Sequence, residues 1–210
     1  MNVRAVIADD HTIVRQGLRV ILEGQGVRIL GEAGDGLEAV RLVRQHEPDI
    51  ALLDLVMPLL NGLDAAREIH QASPKTKTIL LTTVADEAHF LEALRVGVRG
   101  CVQKTEGADA IFQAIQTVMK GGTHLGPDVS RAVVDAYRSK SDLPPDPLTP
   151  RERQVLQLIA EGKSTRAIAE LLCIGIKTAE SHRAHISQKL GIKETALLVR
   201  YAIQHGLSKL

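Results

Sequence analysis

Tryptophan is missing from this 210-residue chain, and only two phenylalanines and two tyrosines are present, so any core must be built from aliphatic side chains. Cysteine is equally scarce. Cys101 and Cys173 stand far apart without metal-ligand spacing, which excludes a disulfide scaffold and a thiolate metal centre and fits a reducing compartment. No apolar run approaches the ~20 residues of a membrane helix, so no membrane association is expected. The first apolar stretch ends in two acids rather than a cleavage pattern, so a secretory leader is not expected and a cytoplasmic location is. An excess of one charge is lacking too, since 26 Lys and Arg against 25 Asp and Glu leave a net +1. That balance hides an asymmetry. Residues 1–125 hold 13 basic against 16 acidic side chains, whereas residues 145–210 hold 10 against 6. A basic rear half is drawn toward a polyanion, although solvated faces produce the same bias.

Residues 1–122 alternate strand and helix signals, the pattern of a doubly wound parallel sheet. Strands are expected at 3–8, 27–32, 49–53, 77–82 and 98–102, with helices at 12–23, 37–46, 62–71, 86–96 and 107–120. In the first helix Ile13, Gly17-Leu18 and Ile21-Leu22 recur at helical spacing and predict one buried face. The rhythm then stops. A linker is expected over 123–147, with a short helix at 128–138 and an extended end, 139–147, that holds three prolines. Thr149-Pro150-Arg151-Glu152 follows, combining a Thr N-cap, a Pro at the first helical position and a Glu at the third. Residues 148–210 carry no strand pattern and four expected helices, at 150–160, 165–172, 177–190 and 194–205. The second and third, joined by Cys173-Ile-Gly-Ile176, have the proportions of a helix-turn-helix.

Two apolar runs finish in carboxylates, one in Asp9-Asp10 and the other in Asp54. As parallel strands they would bring three acids to the carboxyl edge of one sheet, where open α/β folds bind ligands. Carboxylates crowded in this way repel one another unless a hard cation such as Mg²⁺ lies among them. Thr82 ends the fourth strand and Lys104 follows the fifth, so both reach the same edge. The set fits phosphoryl transfer. Asp54 would attack phosphorus, Mg²⁺ and Lys104 would neutralise the equatorial oxygens, and Thr82 would hydrogen-bond one of them. Singly, Asp10 can cap the next helix, Lys104 can be a surface lysine and Thr82 a β-former. Five such residues at successive strand ends favour the joint reading.

In the helix expected at 177–190, Ala179, His182, Ile186 and Leu190 recur at three- and four-residue steps and should face the core, His182 as a structural residue. Lys177, Glu180, Ser181, Ala184 and Gln188 then face outward, flanked by Arg183 and Lys189. Such a face suits a DNA major groove, or is the charged surface of a small bundle.

With Asp9-Asp10, Asp54 followed by Met57-Pro58 and Asn61-Gly62, then Thr82 and Lys104, the front domain resembles the receiver domain of bacterial two-component response regulators. The segments at 148–156, 162–169, 177–182 and 189–191 resemble the LuxR-type helix-turn-helix, and the pair together resembles the NarL/FixJ family. The resemblance implies a flavodoxin-like five-stranded sheet of order 2-1-3-4-5 over 1–122 and a four-helix DNA-binding domain over 148–210. It implies that Asp54 accepts phosphate from a sensor histidine kinase. Mg²⁺ would be held by Asp10, Asp54 and the main-chain carbonyl of Val56, with Asp9 reaching it through water. Thr82 and Lys104 would bind the acyl phosphate. It further implies a double-stranded DNA operator with two half-sites and a homodimer promoted by phosphorylation, in which the last helix makes dimer contacts. The implied DNA-contacting set is Thr165, Lys177, Thr178, Glu180, Ser181, Arg183, Ala184 and Gln188, with Thr178 at the family's phosphate-contact position.

Three residues depart from the pattern. Cys101 stands where receivers usually place Tyr or Phe, three residues before the lysine. Glu180 and Ala184 occupy positions where some relatives carry Lys. Gly175 replaces a frequent capping Ser. The reading is a phosphorylation-controlled transcription regulator, not an enzyme. An aspartyl-phosphate hydrolase would want an acid two residues after the nucleophile, where Val56 stands. The alternative kept open by Cys101 is a phosphate-independent regulator whose receiver serves only to dimerise.

Overall fold

Alternation of apolar side chains along the strands divides the front of the chain into two cores. On β1 (Val3–Ala8), Val3, Ala5 and Ile7 enter one core while Val6 and Ala8 enter the other. On β3 (Ile50–Asp54), Ile50 and Leu52 oppose Ala51 and Leu53, and on β4 (Lys77–Thr82), Ile79 and Leu81 oppose Leu80. Strands buried on both faces need no polar side, which is why the sequence shows them as continuous apolar runs.

The computed structural model describes residues 3–83, 87–127, 129–131, 134 and 147–209. With β2 (Val27–Ala33), β5 (Gly100–Gln103) and β6 (His124–Leu125) the sheet has six strands in the order β2-β1-β3-β4-β5-β6, every neighbouring pair parallel. Helices α1 (Thr12–Gly24) and α5 (Ala108–Met119) cover one face with Leu18, Leu22, Ile111 and Ile115. The other is covered by α2 (Gly36–His46), α3 (Gly62–Ala72) and α4 (Glu87–Arg95), through Val40, Val43, Ile69 and Phe90. Strand order reverses beside β1, which opens the ligand-binding crevice there.

Two expectations need correction. The sheet has a sixth strand, where the sequence pattern gave five. Its two residues pair with Gly100 and Cys101 inside the segment expected as linker, and two residues are too few to display a period. In α1 the buried stripe is Leu18 and Leu22 with Val14 packed beside them, whereas Ile13 is 84% exposed and Ile21 also faces solvent. Ile13 and Ile21 each sit one residue, about 100° around the helix, from that stripe. Of the helix expected at 128–138, positions 129–131 and 134 are helical and the rest lies outside the described residues, as does 135–146.

The rear domain packs α6 (Pro150–Ala160), α7 (Thr165–Leu171), α8 (Ile176–Leu190) and α9 (Thr195–Gln204) around Val155, Leu156, Ile159, Ile168, Ala179, Ile186, Leu198 and Ala202. Its start is the anticipated capping box. Thr149 Oγ1 accepts the Glu152 N–H, and the Thr149 N–H donates to the Glu152 carboxylate at 2.8 Å. The same carboxylate lies 2.6 Å from Lys189 Nζ near the end of α8, which joins the first helix to the third. Burial works to raise the Glu152 carboxyl, but the bonds from Lys189 and Thr149 outweigh it and pull it down to about 2.

A depressed carboxyl stabilises the fold fully above its ordinary value and loses that contribution as pH falls toward the folded value. Glu152→Gln should therefore be less stable by about 1–3 kcal/mol at neutral pH. Denaturant curves should show that deficit shrinking as pH drops from the ordinary 4.5 toward about 2. A deficit constant over that window would mean that the carboxylate's charge contributes nothing.

Candidate functional site

Register assembles the acidic cluster. Ala8 of β1 lies opposite Leu53 of β3, so Asp9 and Asp54 leave the sheet side by side. Asp54 pairs in turn with Leu81, one residue before Thr82, and Thr82 pairs with Gln103, one residue before Lys104. The five residues singled out from the sequence thus share one edge. Asp9, Asp54 and Thr82 are buried. Lys104 Nζ lies 2.6 Å from Asp9 Oδ2 and 2.9 Å from Asp54 Oδ1. Asp9 also accepts the His11 N–H at 2.8 Å, and its carbonyl accepts from Arg15 at 2.6 Å.

Asp10 does not cap α1. The N-cap residue is His11, which makes no side-chain cap bond. The Asp10 carboxylate faces the cluster instead, with His11 Nδ1 at 2.8 Å. Ligand atoms of Asp9, Asp10, His11 and Asp54 all lie within 4.8 Å of one another. Three carboxylates at this spacing, already drawing ammonium groups among them, are a donor set that fits a hard divalent cation. Val56 is half-buried and, with Asp10, Met57 and Pro58, lines a cavity of about 350 Å³ at the mouth of the cluster.

The loop after Asp54 folds tightly back on it. Asn61 caps α3, its Oδ1 accepting the Asp64 N–H at 2.9 Å, and the Gly62 N–H donates to the Leu55 carbonyl at 2.8 Å. A Cβ on Gly62 would stand 2.1 Å from the Asp54 carbonyl oxygen. What reads in the sequence as an Asn-Gly turn is therefore a close approach of two backbones. Cys101 is fully buried in the cluster that holds Leu80, Phe90 and Val98, and burial pushes its thiol up to about 12.

The second candidate site is α8. Lys177, Thr178, Glu180, Ser181, Ala184 and Gln188 are exposed along it, Arg183 is half-buried, and Thr165 is half-buried at the start of α7. Ala179 and Ile186 are buried and His182 and Leu190 half-buried, so the helix has the two faces that its spacing predicted. Gly175 precedes α8 without a side-chain cap.

Sequence reasoning missed the contacts that bind the two domains together. Gln157 of α6 donates Nε2–H to the Met57 carbonyl at 2.7 Å and accepts the Asn61 N–H at 2.9 Å. Glu161 accepts the Leu59 N–H at 2.9 Å, holding Leu59 at φ +66°, a left-handed conformation that costs a non-glycine residue about 1–2 kcal/mol. Arg153 lies 2.7 Å from Glu92 and 3.5 Å from Asp64, and Arg67 is paired with both acids. Lys209, two residues beyond the buried Leu207, extends its ammonium to 2.9 Å from Asp10 and 3.1 Å from Asp54. Burial works to raise the Asp10 carboxyl, but Lys209 and then His11 outweigh it and hold it below its ordinary value. Burial likewise works to lower the Lys209 ammonium, and its bonds to Asp10 and Asp54 leave it raised. No local spacing signals these pairs, because they join residues far apart in the chain.

Residues 5–116 match the family model described as response regulator receiver domain, and residues 146–202 match that of bacterial regulatory proteins of the luxR family. The oxygen regulatory protein NreC of Staphylococcus carnosus is 37% identical, covering 97% of this chain and 98% of its own. Among solved structures, RcsB of Salmonella enterica serovar Typhimurium, bound to a promoter in the presence of the phosphomimetic BeF3-, is 29% identical with a TM-score of 0.60, covering 95% of this chain and 98% of that one. A structure of two RcsB dimers bound to two parallel DNAs is 28% identical with a TM-score of 0.61, covering 97% and 98%.

Two glycines test the geometry around Asp54. Gly62→Ala should destabilise the receiver by at least about 2 kcal/mol, because its Cβ meets backbone that cannot yield. Gly17→Ala, in the middle of α1 with nothing within 4 Å of its Cβ, should instead stabilise by about 0.5–1 kcal/mol. Denaturant midpoints of the two variants should move in opposite directions. A Gly62→Ala chain as stable as the parent would mean that the approach to Asp54 is not required.

Proposed function

The chain belongs to the NarL/FixJ family of two-component response regulators, in which a receiver domain is joined to a LuxR-type DNA-binding domain, and from that premise we propose that Asp54 is its phosphoacceptor and the outer face of α8 its DNA-reading surface. It is a transcription regulator and not an enzyme, and its partners are a histidine kinase and DNA. The observation that carries the site assignment is the register itself, which delivers Asp9, Asp10, Asp54, Thr82 and Lys104 to one sheet edge.

In this reading an Asp54 carboxylate oxygen attacks the phosphorus of the kinase's phosphohistidine. The N–P bond breaks as the O–P bond of an acyl phosphate forms. Asp54 and Asp10, with the Val56 carbonyl, would hold Mg²⁺, and Asp9 would reach it through water. The cation would offset charge on the transferred oxygens. Lys104, already 2.9 Å from Asp54, would pair with one phosphate oxygen, and Thr82 would hydrogen-bond another. The kinase needs a surface beside this pocket. Ile13, Val20 and Ile21 leave an exposed apolar face on α1, which begins two residues after Asp10.

On DNA, Lys177, Thr178 and Arg183 would hold phosphates, and Thr165 would support them from α7. Ser181 and Gln188 would reach base edges, with Glu180 and Ala184 between them. RcsB binds DNA as dimers, which supports a homodimer on two half-sites here, promoted by phosphorylation. No described helix is long and apolar enough to cross a membrane. The DNA-bound relatives support a regulator working in the cytoplasm. The convergence of all five pocket residues favours phosphate control over a receiver that only dimerises.

Asp54→Asn should take up no phosphate from acetyl phosphate with Mg²⁺, since an amide is not a competent nucleophile. Mass spectrometry of the intact chain checks this, and full incorporation would refute the assignment. Lys177→Ala should weaken binding to specific and random duplexes alike and lower the slope of affinity against salt by about one phosphate contact. Gln188→Ala should instead change preference among operators by about 1–3 kcal/mol. Salt titrations on both kinds of duplex separate these outcomes.

A further inference from the structure

The acidic pocket of the front domain, proposed above to receive phosphate, already holds a cation from the rear domain. We propose that Lys209 is a tethered counter-cation, so that filling the acidic pocket with a divalent ion and docking the DNA-binding domain onto the receiver exclude each other.

The position of Lys209 is built, not casual. After α9 the Gly206 N–H donates to the Ile203 carbonyl and the Leu207 N–H to that of Ala202, with Gly206 at φ +60°. This is a Schellman ending, which reverses the chain and presses its following apolar residue into the domain. Leu207 is accordingly buried in the rear core, and Lys209 follows two residues later. The ammonium is therefore fixed to the body of the rear domain and arrives in the pocket only when that domain is docked. Docking is set elsewhere, by Gln157 on Met57 and Asn61, Glu161 on Leu59, and Arg153 on Glu92 and Asp64.

Charge decides between the two occupants. Asp9, Asp10 and Asp54 face Lys104, which leaves two negative charges uncompensated. Lys209 cancels one of them and a divalent cation cancels both. An ammonium bonded to Asp10 Oδ1 and Asp54 Oδ2 occupies two of the carboxylates that would hold such a cation, and two cations that close together repel. The coupling is reciprocal. Whatever factor docking takes from cation affinity, cation binding takes from docking. On the function proposed above, phosphorylation needs the cation, so the unphosphorylated chain would meet its kinase through an opened pocket.

Mg²⁺ titrated into the full chain by calorimetry tests this, tryptophan emission being absent as an alternative reporter. Lys209→Gln should bind Mg²⁺ about tenfold more tightly than the parent, within the usual range of such coupling. Gln157→Ala removes no contact to Asp9, Asp10, Asp54 or Lys104, yet by loosening the docked domain it should tighten Mg²⁺ as well, and the double variant should bind no more tightly than Lys209→Gln alone. Small-angle scattering should show the parent chain becoming more extended on adding Mg²⁺. Unchanged affinity in Lys209→Gln would overturn the proposal. So would a gain in Lys209→Gln unaccompanied by one in Gln157→Ala, because Lys209 would then be a local charge uncoupled from docking. Either failure leaves the proposed function standing as long as the parent takes up phosphate at Asp54. A parent chain that takes up none would overturn that function instead.

Discussion

Asp9 and Asp54 leave adjacent parallel strands at the same level, and the mutual repulsion of their carboxylates must be balanced before anything else at that edge can be built. Lys104 meets this demand by reaching both acids from the end of β5, which ties the third strand in the sequence to the fifth across β4. The loop after Asp54 is constrained in turn. It must clear the pocket, so it folds back until the α3 N-terminus touches the Asp54 backbone, where only a glycine fits. The same fold exposes the Met57 carbonyl and the Leu59 and Asn61 amides to the rear domain. The inter-domain surface is thus a direct consequence of how the acids are held.

That surface is polar in kind. Among the described residues Leu59 packs against the rear core, and Gln157, Glu161 and Arg153 add hydrogen bonds and ion pairs across the interface. Arg153, Asp64, Arg67 and Glu92 form a network in which Arg153 and Asp64 are buried. Buried ion pairs return little net stability, because desolvation offsets their attraction, but removing one partner strands the others at a cost of about 3–5 kcal/mol. Such an interface is strict in geometry and moderate in strength. Interfaces of this character between domains are commonly released and re-formed.

Most of the fold could be read from the sequence because strand and helix periods are local. Apart from β6 and a single 3-10 turn at Lys104–Glu106, the strands and helices from β1 to α9 lie within a residue or two of the spans that the sequence pattern predicts, and the capping box at Thr149 starts α6 where it was expected. The pocket was legible for a different reason. Its residues sit at strand ends, and a parallel sheet collects strand ends without any knowledge of side-chain packing. Neither argument reaches Gln157, Arg153 or Lys209. A glutamine in a helix and a lysine near a chain end have surface readings that nothing nearby contradicts, and their burial depends on a docking between domains that no period encodes. The misjudged face of α1 has a simpler origin. Two apolar stripes one residue apart are equally periodic, and only the sheet beneath selects Leu18 and Leu22 over Ile13 and Ile21.

The docked arrangement places α6 against the receiver and leaves α8 turned away. Lys177, Thr178, Ser181 and Gln188 remain exposed with the interface fully formed. A receiver that shielded the proposed reading surface would have buried those side chains, so shielding of α8 is not what this arrangement accomplishes. What it fixes is the position of α8 relative to the receiver. An operator with two half-sites demands reading helices about one DNA turn apart, roughly 34 Å. A rear domain tied to its receiver through Gln157, Arg153 and Lys209 can meet that spacing only if the two receivers are themselves placed to suit it, whereas an untied rear domain can adjust on its linker. Orientation, more than exposure, is therefore the quantity on which the docked contacts act.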